Sequence, residues 1–469
     1  MGNYERLAAQ DSSFVKFEEG GTHVHISAIA LFERGLLVSE EGRLDVERIR
    51  SQVASRLHLI PRYRQRLAYT PVQQHPMWVD DERFDVAYHV HHTALPAPGG
   101  EQELKDCAGR IASVPLDPKR PLWELWAVEG LEGGRFAVVA KVHHSLVDGV
   151  SGVGVMIALL SPEPTTEIEP GPRWKPRPAP GLLEFVTDGL GEALRLGSST
   201  LQQLGSSFLR PRETASSLLG TAVAGWETLR AGLTPPADTP LNRQAGSARR
   251  VDWRRYDLAD IRELRKRLDG SVNDVVLSIV SGAVRVFLKQ RRVKLRGLDF
   301  RVIVPVDTRT GDEDPNLGNR VSAWFLSMPV GERSARRRFK RIREQTLHLK
   351  KTRAERGVDA FLRFADFTGS TRLPFWGVNL ANWVRPYNLI VTNVHGPNVP
   401  LYLLGAPLAE FTPLPPLFES QGLAVAAMSY CGRLNIGMIG DRDLVPDLDR
   451  FAQALDESFA ELWKAAENS

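Results

Sequence analysis

Two hydrophobic spacings alternate along the chain. A period of two marks strands and a period near 3.6 marks helices. His23 to Phe32 is apolar and β-branched enough for a strand, and Leu44 to Leu59, after Gly42, reads as an amphipathic helix. Glu101 to Ala112 predicts a second helix, and Trp123 to Val128 and Phe136 to Val142 predict strands. A glycine-rich, helix-like run from Val150 to Leu160 follows. The pattern restarts at Arg249-Arg250-Val251-Asp252-Trp253, with helices over Leu258 to Arg267 and Val272 to Lys289. Strands are predicted at Phe300 to Val304, Val321 to Pro329, Asn388 to Val394, Gly422 to Tyr430 and Arg433 to Ile439. Ser334 to Arg356 is a strongly basic helix and Phe451 to Ala465 a terminal one. Interleaved strands and helices specify α/β layering.

Between the two parts, Pro162 to Pro180 is dense in proline around Trp174, as a surface connector would be. Leu182 to Leu233 reads as helices with many small residues, including Phe185, Leu190, Phe208, Leu218 and Trp226. Two readings stand: a helical linker packed on the body, or a segment that lies on a lipid surface. Pro235-Pro236 and Pro240 close it. The expected division is 1–160, a connector over 161–247, and 248–469.

Composition narrows the class. At 469 residues, with 42% hydrophobic and 25% charged residues, the chain can build two domains with real cores. Sixty Lys plus Arg against 56 Asp plus Glu leave a formal charge of +4, too mild and dispersed for a dedicated nucleic-acid binder. Cys107 and Cys431 carry no motif spacing and read as reduced thiols in a cytosolic protein. The opening residues Met1-Gly2-Asn3-Tyr4-Glu5-Arg6 have no apolar core behind them, so no signal peptide is expected. No run of about 18 apolar residues is present.

The candidate chemistry lies in Lys141-Val142-His143-His144-Ser145-Leu146-Val147-Asp148-Gly149, at the end of a predicted strand. Neutral imidazole is the common side chain able to take a hydroxyl proton near pH 7. Neighbours on a strand point to opposite faces, so His143 and His144 divide two jobs between them. The same geometry argues against a shared metal ion. Asp148 either orients an imidazole or pairs with an arginine to anchor the loop, and the anchor is favoured. Gly149 lets the chain turn. A second cluster, His89, His91 and His92, reads as sheet surface rather than a zinc site. There is no Gly-x-Ser-x-Gly elbow, and neither cysteine has a histidine beside it, so no covalent nucleophile is expected.

The His-His-x-x-x-Asp-Gly pattern resembles the active-site signature of CoA-dependent acyltransferases, a superfamily that includes chloramphenicol acetyltransferase and peptide-synthetase condensation domains. Further segments stand in the matching order: Asp11-Ser12-Ser13-Phe14, Pro121-Leu122-Trp123-Glu124, Asn273-Asp274-Val275-Val276-Leu277, Val304-Pro305-Val306-Asp307-Thr308-Arg309, Leu317-Gly318-Asn319-Arg320 and Thr392-Asn393-Val394-His395-Gly396-Pro397. Together they resemble the bacterial wax ester synthase/diacylglycerol acyltransferase family over nearly the whole chain. The chain departs from that pattern at Ser12, where the family usually has Ala, and at His23-Val24-His25, where it usually has Pro-Met-His. Neither departure touches the histidine doublet.

The resemblance implies an α/β fold of two chloramphenicol-acetyltransferase-like domains, each a mixed sheet with flanking helices, and an active-site tunnel at their interface. It implies acyl transfer from acyl-CoA to a long-chain alcohol or diacylglycerol, with His144 as general base and His143 supporting its orientation. Asn273 is a candidate amide near the oxyanion or the acyl group, or a helix N-cap; Asp274 is a candidate substrate contact, with the same N-cap alternative. Arg309 ends a strand; it either approaches the CoA phosphates or forms an inter-domain salt bridge. Trp123 and Glu18 match family positions near the site, with core packing the plain reading of Trp123. Gly149, Pro121 and Leu122 are structural members of the motifs.

No cofactor or metal is expected, acyl-CoA being a co-substrate. Partners of the CoA phosphates include the helix with Arg336, Arg337, Arg338, Lys340, Arg341 and Arg343, unless it is a solvated face or meets anionic lipid. Phe361, Phe364, Phe367, Phe375, Trp376 and Trp383 line an acyl tunnel or pack a core. The expected location is cytoplasmic, peripherally attached to the inner membrane or lipid inclusions, with a homodimer left open.

Overall fold

The computed structural model describes residues 4–7, 11–12, 14–15, 18, 23–70, 75–146, 158–181, 236–307, 321–352 and 387–467. Strands are numbered β1–β15 and helices α1–α6 in chain order over these residues. Two six-stranded mixed sheets organise the molecule.

The first sheet is built around β2 (His25–Phe32) and β7 (Phe136–His143), paired antiparallel from His25↔His143 to Phe32↔Phe136. Both strands are buried along most of their length, as their near-continuous apolar runs require. β6 (Trp123–Glu129) continues the sheet on the far side of β7, and β5 (Val90–Ala94) joins β6 in parallel. α1 (Val46–Arg56) and α2 (Glu101–Ser113) flank it. A small second sheet, β1 (Glu5–Arg6), β4 (Pro76–Asp80) and β3 (Gln65–Tyr69), packs beside it.

The second large sheet runs β10 (Val321–Met328), β9 (Phe300–Asp307), β11 (Leu389–His395), β14 (Leu423–Tyr430), β15 (Arg433–Asp441) and β8 (Arg249–Asp257). β11 lies parallel to both of its neighbours. One face carries α3 (Leu258–Arg267), α4 (Val272–Gln290), α5 (Ala335–Thr352) and α6 (Leu448–Glu467). α4 is apolar almost all round, and Val275, Val276, Leu277, Ile279, Val280, Ala283, Val284 and Phe287 have no exposure. Such a helix is stable only as the centre of a core, and α6 and the sheet enclose it.

The expected division at 161–247 does not separate the two sheets. β12 (Tyr402–Leu403) and β13 (Ala406–Leu414), from the C-terminal part, complete the first sheet, with β13 pairing antiparallel to β2. β13 also crosses the second sheet. Asn435 Nδ2 donates to the Phe411 carbonyl at 2.9 Å, and any side chain at Gly437 would collide with the Pro413 carbonyl. The seam is a core of its own: Ile29, Leu31 and Val139 from one sheet meet Trp253, Ile390, Ala424 and Ile439 from the other. At its edge Arg249, paired with Asp441, donates its backbone N–H to Ser113 Oγ at 2.8 Å.

The strands β3, β4, β8 and β13 add to those expected from the sequence. The runs Leu182 to Leu233 and Phe361 to Trp383, and the start of the Val150 to Leu160 run, lie outside the described residues.

Candidate functional site

The doublet sits where β7 ends. His143 is the last residue of the strand, and its backbone N–H reaches the Leu122 carbonyl at 3.0 Å. His144 carries the ladder one step further, donating its N–H to Val24 O at 3.0 Å. The chain then turns, with the Leu146 N–H on the His143 carbonyl at 3.0 Å. The two imidazoles therefore leave the backbone on opposite sides, as strand alternation demands.

His143 points inward and is 1% exposed. Its Nδ1 accepts the Ser145 backbone N–H at 3.1 Å and lies 2.7 Å from Ser145 Oγ. A ring nitrogen that accepts a main-chain N–H carries no proton in the neutral form, so the proton sits on Nε2. That Nε2 faces Glu18 Oε1 at 3.4 Å. On β2, directly opposite, His25 Nε2 approaches the same oxygen at 3.2 Å, and the Val24 N–H donates to it at 3.0 Å. One carboxylate oxygen thus accepts the Val24 N–H and faces both rings.

The charges follow from this geometry. Burial works against the Glu18 anion, but the hydrogen bonds of His143 and His25 outweigh it and hold the carboxyl well below its usual range. Burial drives His25 down to about 4 despite Glu18, so its ring is neutral at pH 7. Burial also lowers His23, again against the pull of Glu18.

His144 takes the other side and is only half-buried. Its ring stacks on Phe14, with centroids 4.2 Å apart and planes 22° from parallel. Phe14 in turn lies 6.4 Å from Phe418, which packs on the seam core. The second imidazole of the doublet therefore stands at the junction of the two lobes, covered by an aromatic ring from the N-terminal segment. A half-buried imidazole on a fixed backbone, with its neighbour held beside Glu18 and Ser145, has the chemistry of a general base.

Several expected site residues take other roles. Glu18, expected near the site, directs one carboxylate oxygen at His143, His25 and the Val24 N–H. Trp123 is 1% exposed, stacks on His89 at 4.5 Å and donates Nε1–H to Tyr63 O at 2.8 Å, so it is core and not a substrate contact. Pro121 and Leu122 are buried beside it, as structural residues should be. Asp274 is also not a substrate contact. It forms a capping box with the N-cap Ser271 and accepts from Thr346 Oγ1 at 2.7 Å. Asn273, half-buried, lies in the first turn of α4, two residues after Ser271, so it is not the N-cap. Asp148, Gly149 and Arg309 lie outside the described residues.

The histidine cluster expected on the sheet surface divides. His89 is 3% exposed and bonded through Nδ1 to Trp123 O, because the chain enters β5 from a turn beneath Trp123. His92 is exposed beside Glu129. In α5, Arg337, Arg338, Lys340, Arg341 and Arg343 each face a carboxylate within the protein, and Arg337, Lys340 and Arg341 remain exposed. Sequence reasoning missed His25, Ser145 and Lys141. Lys141, wholly buried, binds Glu124 at 2.8 Å and the Ile111 and Val114 carbonyls at the end of α2. Its place two residues before His143 on the same strand face was the available signal.

Two mixed-sheet lobes joined by an exchanged strand, with a split histidine doublet at the seam, define a two-lobed acyltransferase of the His-His-x-x-x-Asp-Gly type. Solved structures agree on the fold: the first condensation domain of the calcium-dependent antibiotic synthetase, with a substrate analogue bound, matches with a TM-score of 0.58 at 17% identity, covering 98% of this chain and 97% of that one.

The model of the wax ester synthase/diacylglycerol acyltransferase catalytic domain matches residues 7–276, and that of the family's C-terminal domain matches residues 317–463. The chain belongs to the wax ester synthase/diacylglycerol acyltransferase family and is an acyltransferase. A putative diacylglycerol O-acyltransferase of Mycobacterium tuberculosis is 30% identical, covering 99% of this chain and 91% of the relative. A probable diacylglycerol O-acyltransferase of the same organism, tgs1, is 29% identical, covering 97% and 95%. The wax ester synthase/diacylglycerol acyltransferase of Marinobacter aquaeolei VT8 superposes with a TM-score of 0.70 at 25% identity, covering 98% of this chain and 100% of that one.

Proposed function

We propose that the protein transfers a fatty acyl group from acyl-CoA to a long-chain alcohol or to diacylglycerol, with His144 as general base. The observation that carries this is the division of the doublet: His143 is locked on Ser145 and Glu18, while His144 stands at the seam. The His144 imidazole takes the proton of the incoming hydroxyl. The oxygen attacks the thioester carbonyl to give a tetrahedral oxyanion, the C–S bond breaks, and the imidazolium returns the proton to the CoA thiolate. The thioester is already electrophilic, so the enzyme's task is to supply the base and to align two greasy substrates. A placed base contributes about 10²- to 10⁴-fold, and alignment adds to it. Asn273 is a candidate amide for the oxyanion. No covalent enzyme intermediate, metal or cofactor is required by this scheme.

The acceptor must be delivered from a lipid phase. No single helix among the described residues is long and apolar enough to cross a membrane. Reversible attachment to the inner membrane or to lipid inclusions is accordingly part of the proposal.

A product panel tests it. Radiolabelled palmitoyl-CoA is offered with hexadecanol, with dipalmitoylglycerol and with an amine of equal chain length. Labelled wax ester or triacylglycerol supports the assignment. Product with the amine alone, or only with an acyl group on a carrier protein, favours a condensation enzyme. Lipid binding without turnover on any acceptor favours a surface-binding protein.

A further inference from the structure

We propose that Glu18, His23 and His25 form a three-ligand site for a zinc-class divalent transition metal. Glu18 Oε and one nitrogen from each ring lie within 4.8 Å of one another. His23 and His25 are two apart at the start of β2, on one side of the chain, and their rings stack 5.5 Å apart at 10°. Two neutral imidazoles and one carboxylate are the donor set of an open zinc site, with a fourth position left for water or another ligand.

The spacing inside the cluster points the same way. The His25 Nε2 to Glu18 Oε1 distance is 3.2 Å. A charge-assisted N–H···O bond settles at about 2.7–2.9 Å. Two ligand atoms on one tetrahedral zinc, with bonds of about 2.0–2.1 Å, stand roughly 3.3 Å apart. The cluster is thus loose as a hydrogen-bonded pair and correctly spaced as one edge of a coordination tetrahedron. His25 supplies a second, independent sign. It is 5% exposed, and neither of its ring nitrogens has a hydrogen-bond partner of good geometry among the described residues. A buried polar ring left unsatisfied calls for a missing partner. His23, half-buried, opens the cluster to solvent and gives an ion its route in.

Acyl transfer needs no metal, so the ion acts as a modulator. The oxygen it would take is the one that faces His143 Nε2 at 3.4 Å. Occupancy therefore draws the Glu18 carboxylate off His143, loosens the support behind His144 and slows turnover. This coupling rests on the acyltransferase reading of the doublet; metal binding itself does not.

The purified protein, stripped with a chelator and dialysed, is titrated with Zn²⁺ by calorimetry and with Co²⁺ by visible absorption. Wild type is compared with His23→Ala, which lies off the catalytic machinery, and with His91→Ala, a half-buried histidine elsewhere. The expected result is one ion per chain and d–d bands of low-symmetry Co²⁺ in wild type and His91→Ala. His23→Ala should lose at least tenfold in affinity while keeping its circular dichroism and basal turnover. Equal affinity in wild type and His23→Ala, absence of binding in folded wild type, or an equal loss in His91→Ala overturns the site. In the assay, Zn²⁺ should slow wild type and leave His23→Ala unaffected. Specific binding with unchanged wild-type turnover overturns the coupling and leaves the metal site standing.

Discussion

His25 lies directly across the β-ladder from His143, and the Nε2 atoms of the two rings converge on a single oxygen of Glu18, at 3.2 and 3.4 Å. The register of one antiparallel pair therefore sets the support behind His144, the proposed base. Neither histidine selects its position alone. A one-residue slip of β2 against β7 would put His25 on the opposite face from His143.

Glu18→Gln keeps the shape and removes the charge. The anion that faces both imidazoles is lost, so His143 loosens and His144 with it. Turnover should fall roughly tenfold, equivalent to about 1.4 kcal/mol of barrier, with KM for acyl-CoA little changed. Steady-state kinetics check this; a rise in KM at constant kcat would instead make Glu18 a substrate contact.

Acid should destabilise the fold through this cluster. The folded pKa of His25 is depressed to about 4 from 6.5, so between those values the unfolded chain holds more protons and stability rises with pH. The contribution is complete above about 6.5 and is lost as pH falls toward 4, by roughly 3 kcal/mol. Glu18, also depressed, has the same sign, its share being lost below the usual carboxylate range. Urea midpoints at about pH 7 and about pH 4.5 should therefore differ more in wild type than in His25→Gln. A wild-type midpoint that stays level or rises on acidification contradicts the reading.

Asp274→Ala should act on stability rather than on substrate. It removes the N3 half of the Ser271 capping box and the acceptor of Thr346. The cost should be about 1–3 kcal/mol, visible in thermal unfolding. KM values measured well below the midpoint should be those of wild type.

The exchanged strand makes the two lobes interdependent. Residues 1–247 alone lack β13 and would expose the edge of β2, a row of unpaired backbone groups that invites aggregation. That fragment should be insoluble by itself and recovered in solution when co-expressed with 248–469. A soluble, cooperatively folding fragment 1–247 would show that the exchange contributes little.

How much of this was legible in the sequence depends on how local each signal was. β7, β14 and β15 carry apolar runs long enough to specify themselves, and α4 announces itself by length, periodicity and Ser271. β13 did not, because Ala406-Pro407-Leu408-Ala409-Glu410-Phe411-Thr412-Pro413-Leu414 contains two prolines and a glutamate. Its strand character comes from partners almost four hundred residues away, and a pattern reading has no access to them. The doublet and the opposite directions of its two rings were readable from strand alternation. That Glu18 would lie under His143 was not, since a carboxylate in an irregular segment gives no hint of what it will touch. Trp123 and Asp274 took their plain readings, core and helix capping, because a motif fixes residue type and only packing decides whether the side chain lines a site or a core.

Turnover of His144→Ala against wild type, with matched circular dichroism and saturating palmitoyl-CoA and hexadecanol, tests the central claim most directly. The account predicts a loss of about 10²- to 10⁴-fold in ester formation, with acyl-CoA still bound. A folded His144→Ala enzyme that turns over at the wild-type rate would contradict it.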